Sequence, residues 1–221
     1  MSVAASIITN SELQREVEQE LEWDPSVTLA SVGVSTNDHT VTLSGTVHSY
    51  ASHMAAVRAA KRVKGVHAIA DDIVLEPIGT SGRTDHDIAE NAEHAMKWSV
   101  SVPDTVRAPV RDGLLTLDGS VEWNFQRRAA ERAVEYIAGV RHVSNNIQLK
   151  HVTSAPDIHE RIAEAMRRSD EMDARNVHVT SSGGHVTLTG SVSSWAQRER
   201  AKHTAWSAPG VTRVTDDLVI H

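Results

Sequence analysis

Val41-Thr42-Leu43-Ser44-Gly45-Thr46-Val47 is a stretch that this chain writes three times. It returns as Leu115-Thr116-Leu117-Asp118-Gly119-Ser120-Val121 and as Val186-Thr187-Leu188-Thr189-Gly190-Ser191-Val192. Apolar residues and one glycine alternate with polar residues, the period of a strand with one buried and one wet face. A second glycine follows at a fixed distance: Gly45 to Gly65, Gly119 to Gly139 and Gly190 to Gly210 are each 20 residues apart. An acid or amide pair then precedes an aliphatic residue, in Asp71-Asp72-Ile73, Asn145-Asn146-Ile147 and Asp216-Asp217-Leu218. Shared offsets in three places mark an internal repeat. The chain of 221 residues is therefore read as three units, over 1–77, 83–150 and 154–221.

Upstream of each strand lies a helical stripe. Leu13, Val17 and Leu21 share one face, with Ile88, Ala92 and Met96, then Ile158, Ile162 and Met166, in the same places. Asn10 or Ser11 is expected to cap the first helix, and Asn37-Asp38 to turn the hairpin that leads into Val41–Val47. Asp112-Gly113 and Ser182-Gly183-Gly184 are the other hairpin turns. Pro103 and Pro109 mark the first strand of the second unit as an edge, since proline cannot donate a ladder hydrogen bond. An Ala-rich helix follows each repeated strand; Gly65 fits the left-handed position that ends the first of them, and Pro209-Gly210 terminates the third. The unit is thus helix–strand–strand–helix–strand. The fold class expected is α+β: three tandem αββαβ units, each with two helices on one face of a three-stranded mixed sheet. Gly45, Gly119 and Gly190, inside strands, are read as structural, placed where a helix packs tightly across the sheet.

An apolar-x-Leu-x-Gly-x-Val strand, an Ala-rich helix, a Gly-Val 20 residues on and an Asp/Asn pair before Ile or Leu together resemble the BON domain (bacterial osmotically inducible Y and nodulation). The resemblance covers nearly the whole chain. It implies the topology just derived, and a non-enzymatic binding protein of bacterial osmotic or envelope stress or transport that attaches to phospholipid. The alternative is a protein-interaction or self-association module, and an ion or small-ligand sensor is a further reading.

Composition narrows the chemistry. There is no cysteine, which excludes a disulfide framework and a thiol nucleophile. Thirteen histidines are scattered without a metal-ligand spacing, so no metal and no cofactor are expected. The acid pairs become amides in the middle unit, so no titrating group is common to all three, and the pairs are read as side-chain-to-backbone bonding at the strand start. The net charge of −7 is uneven: residues 1–77 carry 5 basic and 10 acidic side chains, residues 78–151 carry 9 and 10, and residues 152–221 carry 8 and 9. No basic excess is offered to phosphodiesters, and nucleic acid is not expected as a partner. Met1–Asn10 has neither a basic nor an apolar leader segment, so a cytoplasmic location is expected, or a periplasmic one if a leader has been removed.

The candidate binding residues lie just after each repeated strand. Aromatic Tyr50, then Trp123 with Phe125, then Trp195 stand ahead of Arg58, Lys61 and Arg62, of Arg127 and Arg128, and of Arg198. Aromatic side chains beside a cationic helix face suit the headgroup boundary of an anionic membrane. The competing reading is that the aromatics staple each helix to its own sheet, because Glu131, Glu135 and Glu199 interleave the basic residues.

Overall fold

A computed structural model describes residues 8–27, 32–76, 83–150, 158–168 and 176–221. The linker expected at 77–82, the link at 153–156 and the early part of the strand expected over 27–34 fall outside the described residues in whole or in part.

In the first repeat, α1 (Asn10–Trp23) buries Leu13, Val17 and Leu21. Its cap is Thr9, one residue before the expected pair: Thr9 Oγ1 accepts from Glu12 N, and Glu12 returns a carboxylate to Thr9 N at 2.9 Å. These bonds hold the Glu12 carboxyl below the usual carboxylate range. Strands β1 (Val32–Asn37) and β2 (Thr40–Val47) form an antiparallel hairpin whose last pair is Asn37 with Thr40. The turn is therefore Asp38-His39, one residue later than expected, and both residues have positive φ, as a two-residue primed turn demands. Helix α2 (Tyr50–Arg62) crosses over to β3 (Ala68–Leu75), which lies parallel to β2. Sheet order is β1-β2-β3, with the repeated stretch in the centre. Val41, Leu43 and Val47 point to the helices, and small Ala55, Ala56, Ala59 and Ala60 let α2 come close. Each large side chain buried here contributes about 2 kcal/mol.

The second repeat has the same order with a broken edge. It comprises α3 (Asp85–Trp98), β4 (Val110–Arg111), β5 (Leu114–Leu117), β6 (Ser120–Val121), α4 (Asn124–Val134), β7 (His142–Asn145) and β8 (Gln148–Leu149). The expected edge strand is reduced to β4 and one bridge, Arg107 with Asp118, because Pro109 interrupts it. Sheets run β4-β5-β7 and β6-β8. In the third repeat, α5 (Ile158–Arg167), β9 (Val177–Ser182), β10 (His185–Val192), α6 (Trp195–Trp206) and β11 (Arg213–Ile220) give the order β11-β10-β9. Among the described residues there are thus six helices and mixed sheets, an α+β fold of αββαβ repeats. By contacts the chain divides into two compact units: residues 1–76 with 194–196 and 221, and residues 77–193 with 197–220.

The strand glycines are explained differently from expectation. Gly119 and Gly190 have φ of +131° and +113°, and a Cβ there would overlap the carbonyl oxygens of Thr105 and Asn176 respectively. The crowding comes from the backbone leading into the neighbouring edge strand, not from a helix. Gly65 and Gly139, also at positive φ, lie under the first helix, where a Cβ would press on Ile8 and on Ile88. Gly119→Ala is expected to cost about 3 kcal/mol, from strain and overlap together. Gly33→Ala, whose nearest neighbour is the rotatable Ser44 Oγ at 3.3 Å, should change stability by less than about 1 kcal/mol. Denaturant unfolding of the two variants checks the contrast.

Candidate functional site

The position that opens each second helix is occupied by Tyr50, Asn124 and Trp195, counted from the repeated glycine. Tyr50 is buried. Trp195 packs on the core of the first compact unit, where Lys61 Nζ stands 4.8 Å from its ring centroid. In the second repeat Asn124 takes the inward place and is buried, with Oδ1 unpartnered. Trp123 and Phe125 flank it and are turned outward, 39% and 55% exposed. Among the described residues, the helix-start aromatics of this repeat are the exposed ones, whereas Trp195 is half-buried and Tyr50 buried.

The rest of α4 continues that face. Phe125, Arg128 and Arg132 follow at three- and four-residue spacing, and Tyr136, 69% exposed, stands four residues after Arg132, just past the end of the helix. Arg128 and Arg132 are exposed, and neither makes an ion pair with another described residue. The acids that interleave them in sequence lie elsewhere. Glu135 is buried, and Glu131 turns toward the sheet to accept from Asn145 Nδ2 at 3.3 Å. Gln126 Oε1 fixes the start of the helix by accepting from Glu122 N and Trp123 N.

The candidate cations of the other repeats are engaged. Arg62 spans back to α1, with Nε 2.6 Å from Glu20 and Nη2 2.9 Å from Asp24. Lys61 faces Trp195, and Arg58 is partnered. Arg198 Nε donates to Asp216 at 2.9 Å, and Lys202 Nζ stands 3.7 Å from the same carboxylate. Arg127 is the half-buried member of the second repeat. Burial pushes its guanidinium down, and Cζ stands 4.9 Å from the centroid of the Trp206 ring.

The acid or amide pairs connect to the same helices, from within their strands rather than at the strand start. The first member of each bonds the backbone two residues on: Ile73 N donates to Asp71 Oδ1, Ile147 N to Asn145 Oδ1 and Leu218 N to Asp216 Oδ1, each at 3.3 Å. Its other atom meets the helix. His53 Nε2 donates to Asp71 at 2.7 Å, Arg198 donates to Asp216, and Asn145 Nδ2 donates instead to Arg127 O at 3.2 Å. An amide can donate where a carboxylate only accepts, so the middle repeat keeps the brace and releases the guanidinium. Among the described residues no three His, Asp or Glu side chains are placed to hold a metal ion, and no helix is long and apolar enough to cross a membrane.

Sequence reasoning missed Trp98 and Trp23, the last residues of α3 and α1, 87% and 84% exposed. Their signal was a tryptophan out of phase with the buried stripe. In the second repeat, α3 starts at the hairpin turn, where Asp85 accepts from Asp112 N and Gly113 N, and α4 ends there. The exposed end of α3, with Trp98 and Val100, is therefore at the same end of the repeat as Trp123 and Phe125.

The BON domain family model matches residues 9–77, 84–151 and 154–221. The chain belongs to the BON domain family. It is 28% identical over 155 residues to osmotically-inducible protein Y of Escherichia coli (strain K12), across 68% of this chain and 77% of that protein. Among solved structures, the C-terminal domain of CdsD, the structural protein of the type III secretion system of Chlamydia trachomatis, aligns at 13% identity. That alignment covers 97% of this chain and 100% of that chain at a TM-score of 0.27, too low to bear on arrangement or function. A second CdsD structure aligns over 95% and 92% with the same identity and score.

The brace predicts a graded effect within this BON chain. Asp216→Asn retains the bond from Leu218 N and loses the ion pair, for about 1 kcal/mol, whereas Asp216→Ala loses both, for about 2 kcal/mol. Thermal or denaturant unfolding of the two variants measures the difference.

Proposed function

We propose that this is a non-catalytic BON protein that attaches peripherally to anionic phospholipid through the second repeat, in a response to osmotic stress. The observation that carries this reading is the outward face of α4 and its two ends: Trp123, Phe125, Arg128, Arg132 and Tyr136, with Glu131 and Glu135 turned inward and Glu122 exposed at the helix start. Aromatic rings settle at the headgroup boundary, and each arginine near an anionic surface contributes about 1 kcal/mol at low salt. The overall charge of −7 opposes such binding, and the face of α4 is where the local sign is reversed. Membership of the BON family and similarity to a protein named for osmotic induction support the physiological setting.

A protein-interaction reading has one observation in its favour. Val74 and Val219, at equivalent places on the edge strands β3 and β11, are both exposed, and apolar edges invite pairing. Co-sedimentation with vesicles separates the two. Arg128→Glu with Arg132→Glu is expected to weaken binding to phosphatidylglycerol-containing vesicles at least roughly 30-fold at low salt. Arg200→Glu, the same kind of change on α6, should have little effect. Equal loss in both variants, or no vesicle binding by the unaltered chain, would refute the assignment to α4 and favour the strand edges.

A further inference from the structure

The first repeat departs from its sisters at the hairpin turn. The second turn residue is His39 at φ +58°, where the other repeats have Gly113 at +74° and Gly184 at +83°. A side chain at this place is confined: at Gly113 a Cβ would lie 2.9 Å from the Gly139 carbonyl oxygen. Histidine tolerates the left-handed region better than most residues but remains strained beside glycine there. A strained side chain where glycine suffices points to something the side chain does.

What it does is visible in the packing. The His39 ring stacks on that of His67, with centroids 4.4 Å apart and planes 15° from parallel. The backbone beneath is a clasp shared by all repeats: His67 N donates to His39 O at 2.9 Å, as Arg141 N does to Gly113 O and Thr212 N to Gly184 O. His39 Nδ1 lies 3.0 Å from Gly65 O, so it carries the proton and donates. The rings are face to face, so their lone pairs do not converge on a common point, and the pair is unsuited to chelating a metal. A proton is the remaining ligand. Each neutral ring accepts the other as an apolar neighbour, whereas two imidazolium rings at this separation repel.

We propose that the His39–His67 stack is an acid-sensitive latch, which holds the first hairpin turn against the start of β3 while the stack is uncharged and releases it in acid. Burial first, then His39 and His221, hold the His67 imidazole below its ordinary value, and Asp38 on the turn acts in the opposite sense. The unfolded chain therefore takes up the proton first. Stability present above about pH 6.5 is lost as the pH falls through the folded value. The Nδ1–H bond to Gly65 O survives protonation, so acid acts through the stack. The latch is independent of the membrane reading, since it lies in another repeat.

The test uses the full chain, with His39→Gly, which the sister repeats show to be compatible with the turn, and His67→Phe, which keeps a stacking ring without a proton. Thermal midpoints are measured from about pH 7.5 to about pH 5.5, and the histidine ring protons are titrated by NMR. The latch predicts that either variant removes at least about half of the acid-induced fall in midpoint, and that the His67 titration moves to higher pH in His39→Gly. Parallel pH profiles in all three proteins, or a His67 titration unmoved by His39→Gly, would overturn it.

Discussion

The closest constraint in the fold is the passage of one backbone over another. At Gly119 and Gly190 the central strand lies against the carbonyl of the segment that starts the neighbouring edge strand, and there is no room for a Cβ. Because the edge segment is fixed there, the hairpin register follows in the third repeat, with Val177 opposite Gly190 and Val179 opposite Leu188. The register in turn directs Val41, Leu43 and their counterparts toward the helices, since a slip of one residue would turn every side chain over. The first helix then covers this face with its three-residue stripe, and the alanines of the second helix fill the gap beside it. Each later feature inherits its place from that crossing.

A shared scaffold makes single-position differences informative. Tyr50, Asn124 and Trp195 occupy one place, and the choice of a small amide in the second repeat leaves the aromatic residues on either side of it in solvent. His53, Arg127 and Arg198 occupy another. Two are held by aspartates, and the third is freed because Asn145 donates where an aspartate would accept. His39, Gly113 and Gly184 occupy a third, where strain is retained in one copy only. The three copies have kept the frame and diverged in what the second helix and the turn present.

Much of the frame was legible before any coordinates. The period of two, the glycine offsets and the three stripes gave the elements and their order, because each is a local pattern repeated three times. The hairpin turn was misplaced by one residue, since Asn37-Asp38 has good turn chemistry and only the ladder, closing with Asn37 opposite Thr40, decides between them. The strand glycines suggested close approach without saying of what. The site was harder to read. Matching aromatics by type hid Asn124, which shares their offset. Counting charges along the chain placed Glu131 and Glu135 among the arginines, although their distance around the helix removes them from that face. Tyr50, Trp195, Arg62 and Arg198 look like Trp123 and Arg128 in sequence and differ only in their partners.

The central claim is that the three repeats share one frame and that one of them turns its second helix outward toward a partner surface. Hydrogen–deuterium exchange of the full chain, with and without anionic vesicles, tests it most directly. The account predicts added protection in the segment from Glu122 to Tyr136, with the corresponding helices of the first and third repeats unchanged. Equal protection of all three helices, or of the strand edges around Val74 and Val219 alone, would contradict it.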